Sequence, residues 1–113
     1  MQLQKQKLSK QELLPGLHAR IIHTPHMTLV FWDIEHGADL PEHSHRHEQV
    51  VQLLEGSFEL VVNGNAQLLS PGDVVVIPGN VPHSGKALTA CVIQDTFVPP
   101  REDMEASILV DSM

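Results

Sequence analysis

His43-Ser44-His45-Arg46-His47-Glu48-Gln49 places three imidazoles and an amide within seven residues. In an extended segment successive side chains alternate faces, so His43 and His45 can point the same way, with Gln49 following on the strand behind them. Imidazole nitrogen suits first-row divalent metals, and the amide oxygen of Gln49 can complete a site without adding charge. A further imidazole is available at His83, delivered by the Pro-flanked turn Ile77-Pro78-Gly79-Asn80-Val81-Pro82.

Outward from this run, the chain breaks into short stretches rich in Val, Ile and Leu, separated by Gly, Pro and Asn, the pattern of an all-β domain. Strands are expected at about 17–22, 27–34, 47–54, 57–62, 66–69, 74–77 and 88–97, a spacing that suggests a sandwich or barrel. Asn63-Gly64 tolerates positive φ and predicts a hairpin turn, and Ser70-Pro71-Gly72-Asp73 predicts another. Ser9-Lys10-Gln11-Glu12 reads as the cap of a short N-terminal helical turn, and Pro100 as the start of a short helix ending near Val110. The organisation expected is an N-terminal arm over 1–16, a β-domain over 17–98 and a C-terminal tail over 99–113.

A chain of 113 residues with 42% hydrophobic content suits one domain with one core. Net charge is −7, and from residue 11 onward only Arg20, Arg46, Lys86 and Arg101 face all 14 Asp and Glu. Nucleic acid is therefore not an expected partner, and an anionic ligand requires local cations. The single Cys91 excludes an intramolecular disulfide framework. The polar start lacks the apolar stretch of a signal peptide, and no run reaches the length of a transmembrane helix, so a cytoplasmic location away from membranes is expected.

Gly37, His43-x-His45, Gln49 and Gly56 reproduce the first cupin motif in residue and spacing, with Gln49 where Glu is commoner. Gly72, Pro78 and His83 reproduce much of the second, with Asn80 in place of the usual Gly and Ala87 in place of a frequent Asn. The chain thus resembles the cupins, and the resemblance implies a single-domain, jelly-roll β-barrel holding a metal among these histidines. Asp95-Thr96-Phe97-Val98-Pro99-Pro100-Arg101-Glu102-Asp103 is similar to the tail of the pectin-degradation (KdgF-type) cupins, which convert ring-form unsaturated uronates into open-chain keto sugars. That resemblance implies metal ligands at His43, His45, Gln49 and His83 and substrate-facing residues at Asp95, Phe97 and Arg101. Arg46 stands where that group usually has Pro.

The residues admit plainer roles too. His47 shares the parity of His45 but is assigned to the rim of the site, and Glu48, of opposite parity, should point away from it. His18, His23, His26 and His36 have no partner spacing and are read as structural. Cys91, Ile93, Asp95 and Phe97 share one parity, so Asp95 is expected on an inward face, where a carboxylate is costly unless paired or working. Arg101 has an alternative as a surface partner of Glu102 or Asp103, and Phe97 as ordinary core. Trp32, Phe31 and Phe58 are taken as core or dimer interface, and Cys91 as buried packing.

The expected function is ring opening of an unsaturated monouronate from pectin or alginate, with one divalent transition metal (nickel, zinc, iron or manganese) and a small anionic sugar acid as substrate. Asp95 moves the proton, Arg101 pairs with the carboxylate and Phe97 forms an apolar wall. The rivals are a cupin dioxygenase with a redox metal and a non-catalytic sugar-acid-binding module. A homodimer is expected, through strands near Leu29 to Phe31 and the N-terminal segment, because an open β-barrel leaves edges to cover.

Overall fold

The computed structural model describes residues 1–110. Eleven strands follow one another in the chain: β1 (Gln11–Leu14), β2 (Leu17–His23), β3 (Thr28–Ile34), β4 (Asp39–His43), β5 (Glu48–Glu55), β6 (Phe58–Val62), β7 (Asn65–Leu69), β8 (Val74–Ile77), β9 (His83–Ala87), β10 (Cys91–Val98) and β11 (Ile108–Leu109). They form two facing sheets. One runs β1-β2-β3-β10-β5-β8, with β11 beside β2, and the other runs β4-β9-β6-β7. The sheets do not close into one continuous barrel, and the arrangement is a two-sheet jelly roll. No helix among the described residues is long and apolar enough to cross a membrane.

Strand alternation builds the core. On β10 the residues Cys91, Ile93, Asp95 and Phe97 are buried while Val92, Gln94, Thr96 and Val98 turn outward. Ile93 and Cys91 join Leu17, Ile34, Val51, Leu53, Phe58, Leu60, Leu69, Ile77 and Ala87 between the sheets. Phe97, nearer the far end of the same strand, packs with Ala19, Ile21 and Val30 in a second cluster. Asn63 and Gly64, with φ of 50° and 79°, make the hairpin turn between β6 and β7.

Two terminal expectations give way to sheet pairing. The segment read as a capped helical turn at Ser9–Glu12 instead enters β1, where Gln11 and Glu12 pair with Ala19 and His18. A lone helical turn offers a few local bonds, whereas the edge of β2 offers a ready ladder. The only helical turn near it is a 3₁₀ turn at Lys5–Lys7. The helix expected from Pro100 to Val110 does not form. Ser107 and Val110 donate their amides to the Ile21 and His23 carbonyls, and β11 lies parallel to Ile22–His23. β4 and β9 were not anticipated, because Asp39-Leu40-Pro41-Glu42 and Ser84-Gly85-Lys86 carry no apolar alternation. A side chain at Gly85 would collide with the ring of Phe58 on β6, so a residue without Cβ is needed for the strands to pair there.

Candidate metal centre and pocket

Pairing of β4 with β9 sets His43 directly opposite His83, with ring centroids 4.2 Å apart. His45, on the loop leading into β5, lies 5.6 Å from His43 and 5.0 Å from His83. One ligating nitrogen from each ring falls within 4.8 Å of the others. Gln49, the second residue of β5, is buried and turned inward, while Glu48 is exposed and points away.

Each of the three imidazoles is oriented in the same manner. Nδ1 of His43 donates to the Pro41 carbonyl at 2.9 Å, that of His45 to the His47 carbonyl at 3.1 Å, and that of His83 to the Val81 carbonyl at 2.9 Å. A carbonyl only accepts, so each bond places the proton on Nδ1 and leaves the Nε2 lone pair of the neutral ring free. Gln49 Oε1 lies 3.2 Å from His45 Nε2. An oxygen and a nitrogen lone pair thus face each other with no proton between them, an arrangement that a shared cation relieves. Burial, then the charge of Arg101 and the neighbouring His83 and His43, lowers the pKa of His45 to about 4. Burial also lowers that of His83, against the bond to Val81. The His45 and His83 rings are therefore neutral at pH 7, the form a metal binds. The donor set therefore fits a divalent transition metal.

The other buried polar side chains gather at the same end. Asp95 is 6% exposed. Its Oδ2 accepts a 2.9 Å bond from the indole Nε1 of Trp32, and its Oδ1 is sealed from solvent without a partner. Burial raises its pKa to about 6, while the Trp32 bond, Gln49 and Arg101 pull the other way. Asp95, Gln49 and His83 share a cavity of about 40 Å³ with Trp32 and a lining of core residues.

Arg101 is buried, so the surface pairing considered for it is only half realised. Its Nε and Nη2 do bind the carboxylate of Asp103, at 2.9 and 2.8 Å, yet the guanidinium lies over the Phe97 ring, 4.7 Å from its centroid. Phe97 is 2% exposed and its edge meets His45 at 5.5 Å. It therefore underlies Arg101 and His45 and has almost no free surface to offer as a wall. His47 is buried on the tail side, its Nε2 donating to the Pro100 carbonyl at 3.2 Å, and Arg46 bonds Glu102 at 2.8 Å on the exposed rim.

Of the remaining histidines, His18 bonds Glu35 at 2.7 Å on the outer face of the larger sheet, and His23 bridges Thr28 and the Met104 carbonyl. His26 and His36 are exposed. Cys91 is buried, with its thiol donating to the Ser57 carbonyl at 3.2 Å, and burial raises its pKa. Two contributors escaped the sequence reading. Trp32, expected in the core or a dimer interface, is half-buried and gives its indole N–H to Asp95. Thr28 receives the Arg101 amide on its Oγ1 at 2.9 Å and so fixes the start of the tail.

Residues 30–95 match the family described as Cupin domain. The chain is 32% identical over 96 residues to the pectin degradation protein KdgF of Dickeya dadantii, spanning 82% of this chain and 87% of that one. Among solved structures, KdgF from a Halomonas species is similar with a TM-score of 0.83 and 33% identity, over 88% of this chain and 94% of the other. An RmlC-like cupin from Shewanella frigidimarina shares a TM-score of 0.83 and 30% identity, over 87% and 89%. A family match over more than half the chain and relatives aligned along most of it lead to one conclusion: this protein belongs to the cupin superfamily, as a cupin of the KdgF type.

Proposed function

We propose that this cupin opens the ring of an unsaturated monouronate, the sugar acid released by lyase cleavage of pectin or alginate, to give a linear keto sugar. The observation that carries the reading is Asp95, a carboxyl with one unpartnered buried oxygen beside three metal-ready imidazoles. Kinship with a pectin degradation protein supports the substrate class. His43, His45 and His83 through Nε2, and Gln49 through Oε1, would hold the metal, which when bound supplies a Lewis acid that polarises a substrate oxygen.

The conversion is an isomerisation. The anomeric hydroxyl loses its proton and its electron pair closes the C1 carbonyl. The C1–O5 pair passes to O5, and C5 becomes a ketone as C4 takes a proton. One proton leaves oxygen and one arrives at carbon, so a single group that both accepts and donates suffices. Asp95, with a pKa raised to about 6, is assigned that task, because it changes state near neutral pH. Arg101, the one buried Lys or Arg among the described residues, takes the substrate carboxylate, and Phe97 supports the guanidinium from below.

The test uses metal-loaded protein under anaerobic conditions, which removes any oxygenase contribution. Loss of the ultraviolet absorbance of the conjugated C4=C5 bond reports turnover. Asp95→Asn is expected to abolish the signal change with metal content intact, and Arg101→Lys to raise KM, since an ammonium lacks the guanidinium fork. Wild-type protein with full metal and no effect on either unsaturated galacturonate or the alginate-derived uronate would overturn the reading. Affinity without turnover would leave a sugar-acid-binding module in its place.

A further inference from the structure

We propose that Asp103 is a positioning residue for substrate recognition: its carboxylate grips the Nε and Nη2 edge of Arg101 and so directs the opposite, Nη1-bearing edge toward an incoming sugar-acid carboxylate. The inference rests on the assignment of Arg101 as the carboxylate-binding group.

Three contacts define where the guanidinium sits, and they do different things. The backbone amide of Arg101 donates to Thr28 Oγ1 at 2.9 Å, which anchors the Cα. The ring of Phe97 lies under the guanidinium carbon, 4.7 Å from centroid to carbon. Attraction of a cation to a π face is nearly indifferent to rotation about the ring normal, so it leaves the direction of the N–H fork open. Only the paired bonds to Asp103, 2.9 Å from Nε and 2.8 Å from Nη2, fix that direction.

A guanidinium has two edges that can bind a carboxylate side by side, and Asp103 occupies one. The end-on edge keeps Nη1, which makes no hydrogen bond among the described residues and is not among their sealed unpartnered atoms. The Phe97 ring beneath the guanidinium also packs against His45, which places Arg101 beside the three clustered imidazoles. The hydrogen bond from Arg101 holds the carboxyl of Asp103 down at about 2, so the pair persists at any working pH.

Asp103 also carries a negative charge that repels an anionic substrate, so placement and repulsion predict opposite signs. The Asp103 side chain is 60% exposed and its field is screened by water and salt, whereas the Arg101 side chain is 9% exposed and has little solvent to replace a lost partner. Placement therefore prevails.

The experiment compares Asp103→Ala and Asp103→Glu in the metal-loaded protein. Asp103→Ala is expected to raise KM for the unsaturated monouronate about tenfold, the worth of one charge-assisted hydrogen bond. Its kcat should stay within about twofold, because the reacting atoms are untouched. Asp103→Glu, which keeps the charge and the fork, should recover most of the affinity. Calorimetric binding of saturated galacturonate should weaken in parallel, and the Arg101 Nε–H resonance, protected from exchange in wild type and in Asp103→Glu, should lose protection in Asp103→Ala. Unchanged or tighter binding by Asp103→Ala, or a fall confined to kcat, would overturn the role of Asp103 while leaving that of Arg101. Wild-type protein that binds no galacturonate would remove the Arg101 assignment and this inference together.

Discussion

Replacing Asp95 by asparagine is expected to stabilise the metal-free protein, and by an amount that grows with pH. The Asp95 carboxyl ionises at about 6 in the folded chain against 3.8 for an ordinary aspartate, because burial disfavours its charge. Between about pH 4 and pH 6 the folded chain retains a proton that the unfolded chain has released, so the contribution of this residue to stability falls as pH rises through that window. At 1.36 kcal/mol per tenfold change in proton affinity the loss reaches about 3 kcal/mol above pH 7. Asparagine keeps the acceptor for the Trp32 indole and cannot ionise. The difference between variant and wild type should therefore be small and constant below about pH 4 and climb by about 3 kcal/mol by pH 8, equivalent to roughly 10 °C in Tm. Urea unfolding of chelator-treated protein across this range measures it, and the imidazoles, present in both proteins, cancel in the difference. A flat difference would refute the claim that Asp95 is a buried carboxyl of raised pKa, and with it the reason for giving it the proton. A group that is costly to ionise and yet retained is what proton transfer near neutrality requires.

Elemental analysis of protein prepared without a histidine tag should find close to one transition-metal ion per chain. His45→Ala should lose it, and full metal content in that variant would refute the ligand set. Light scattering should report a homodimer of about 25 kDa, twice the 12.5 kDa chain; the strand of Leu29 to Phe31 is paired on both sides and offers no open edge, whereas β8 is an edge on which Val74 and Val76 are more than half exposed. A species of 12.5 kDa alone at micromolar concentration would refute it.

Several strands were legible because they obey a local rule. Val74 to Ile77 is an apolar run and Val50 to Leu54 is one but for Gln52, and the parity of Asp95 with Cys91, Ile93 and Phe97 follows from the period of a strand alone. The strands that complete the site do not announce themselves. Asp39–His43 and His83–Ala87 become strands through pairing with each other, and that pairing brings His43 opposite His83 across 40 residues of chain. The bond from Trp32 to Asp95 likewise depends on β3 lying beside β10. The tail was misread for the same reason: a sequence compatible with a helix found better partners in the carbonyls of β2. Phe97 lay beyond local rules in another sense, because its parity predicts burial but says nothing of the guanidinium that covers it.

β10 is hydrogen-bonded to β3 on one side and to β5 on the other along nearly its whole length. Backbone held in this way opens only when the sheet itself comes apart, so Asp95 and Phe97 stand on the slowest-exchanging part of the molecule. Arg101 stands three residues past the end of that strand, on a loop held to the body by the Thr28 hydroxyl and by the bonds of His47 and His23 to the Pro100 and Met104 carbonyls. One wall of the pocket is thus rooted at the centre of a sheet, and the other rests on scattered tail contacts that local opening can break one by one. Under the proposed reaction, entry and release of the substrate would fall to the tail, while Asp95 and the imidazoles keep their places.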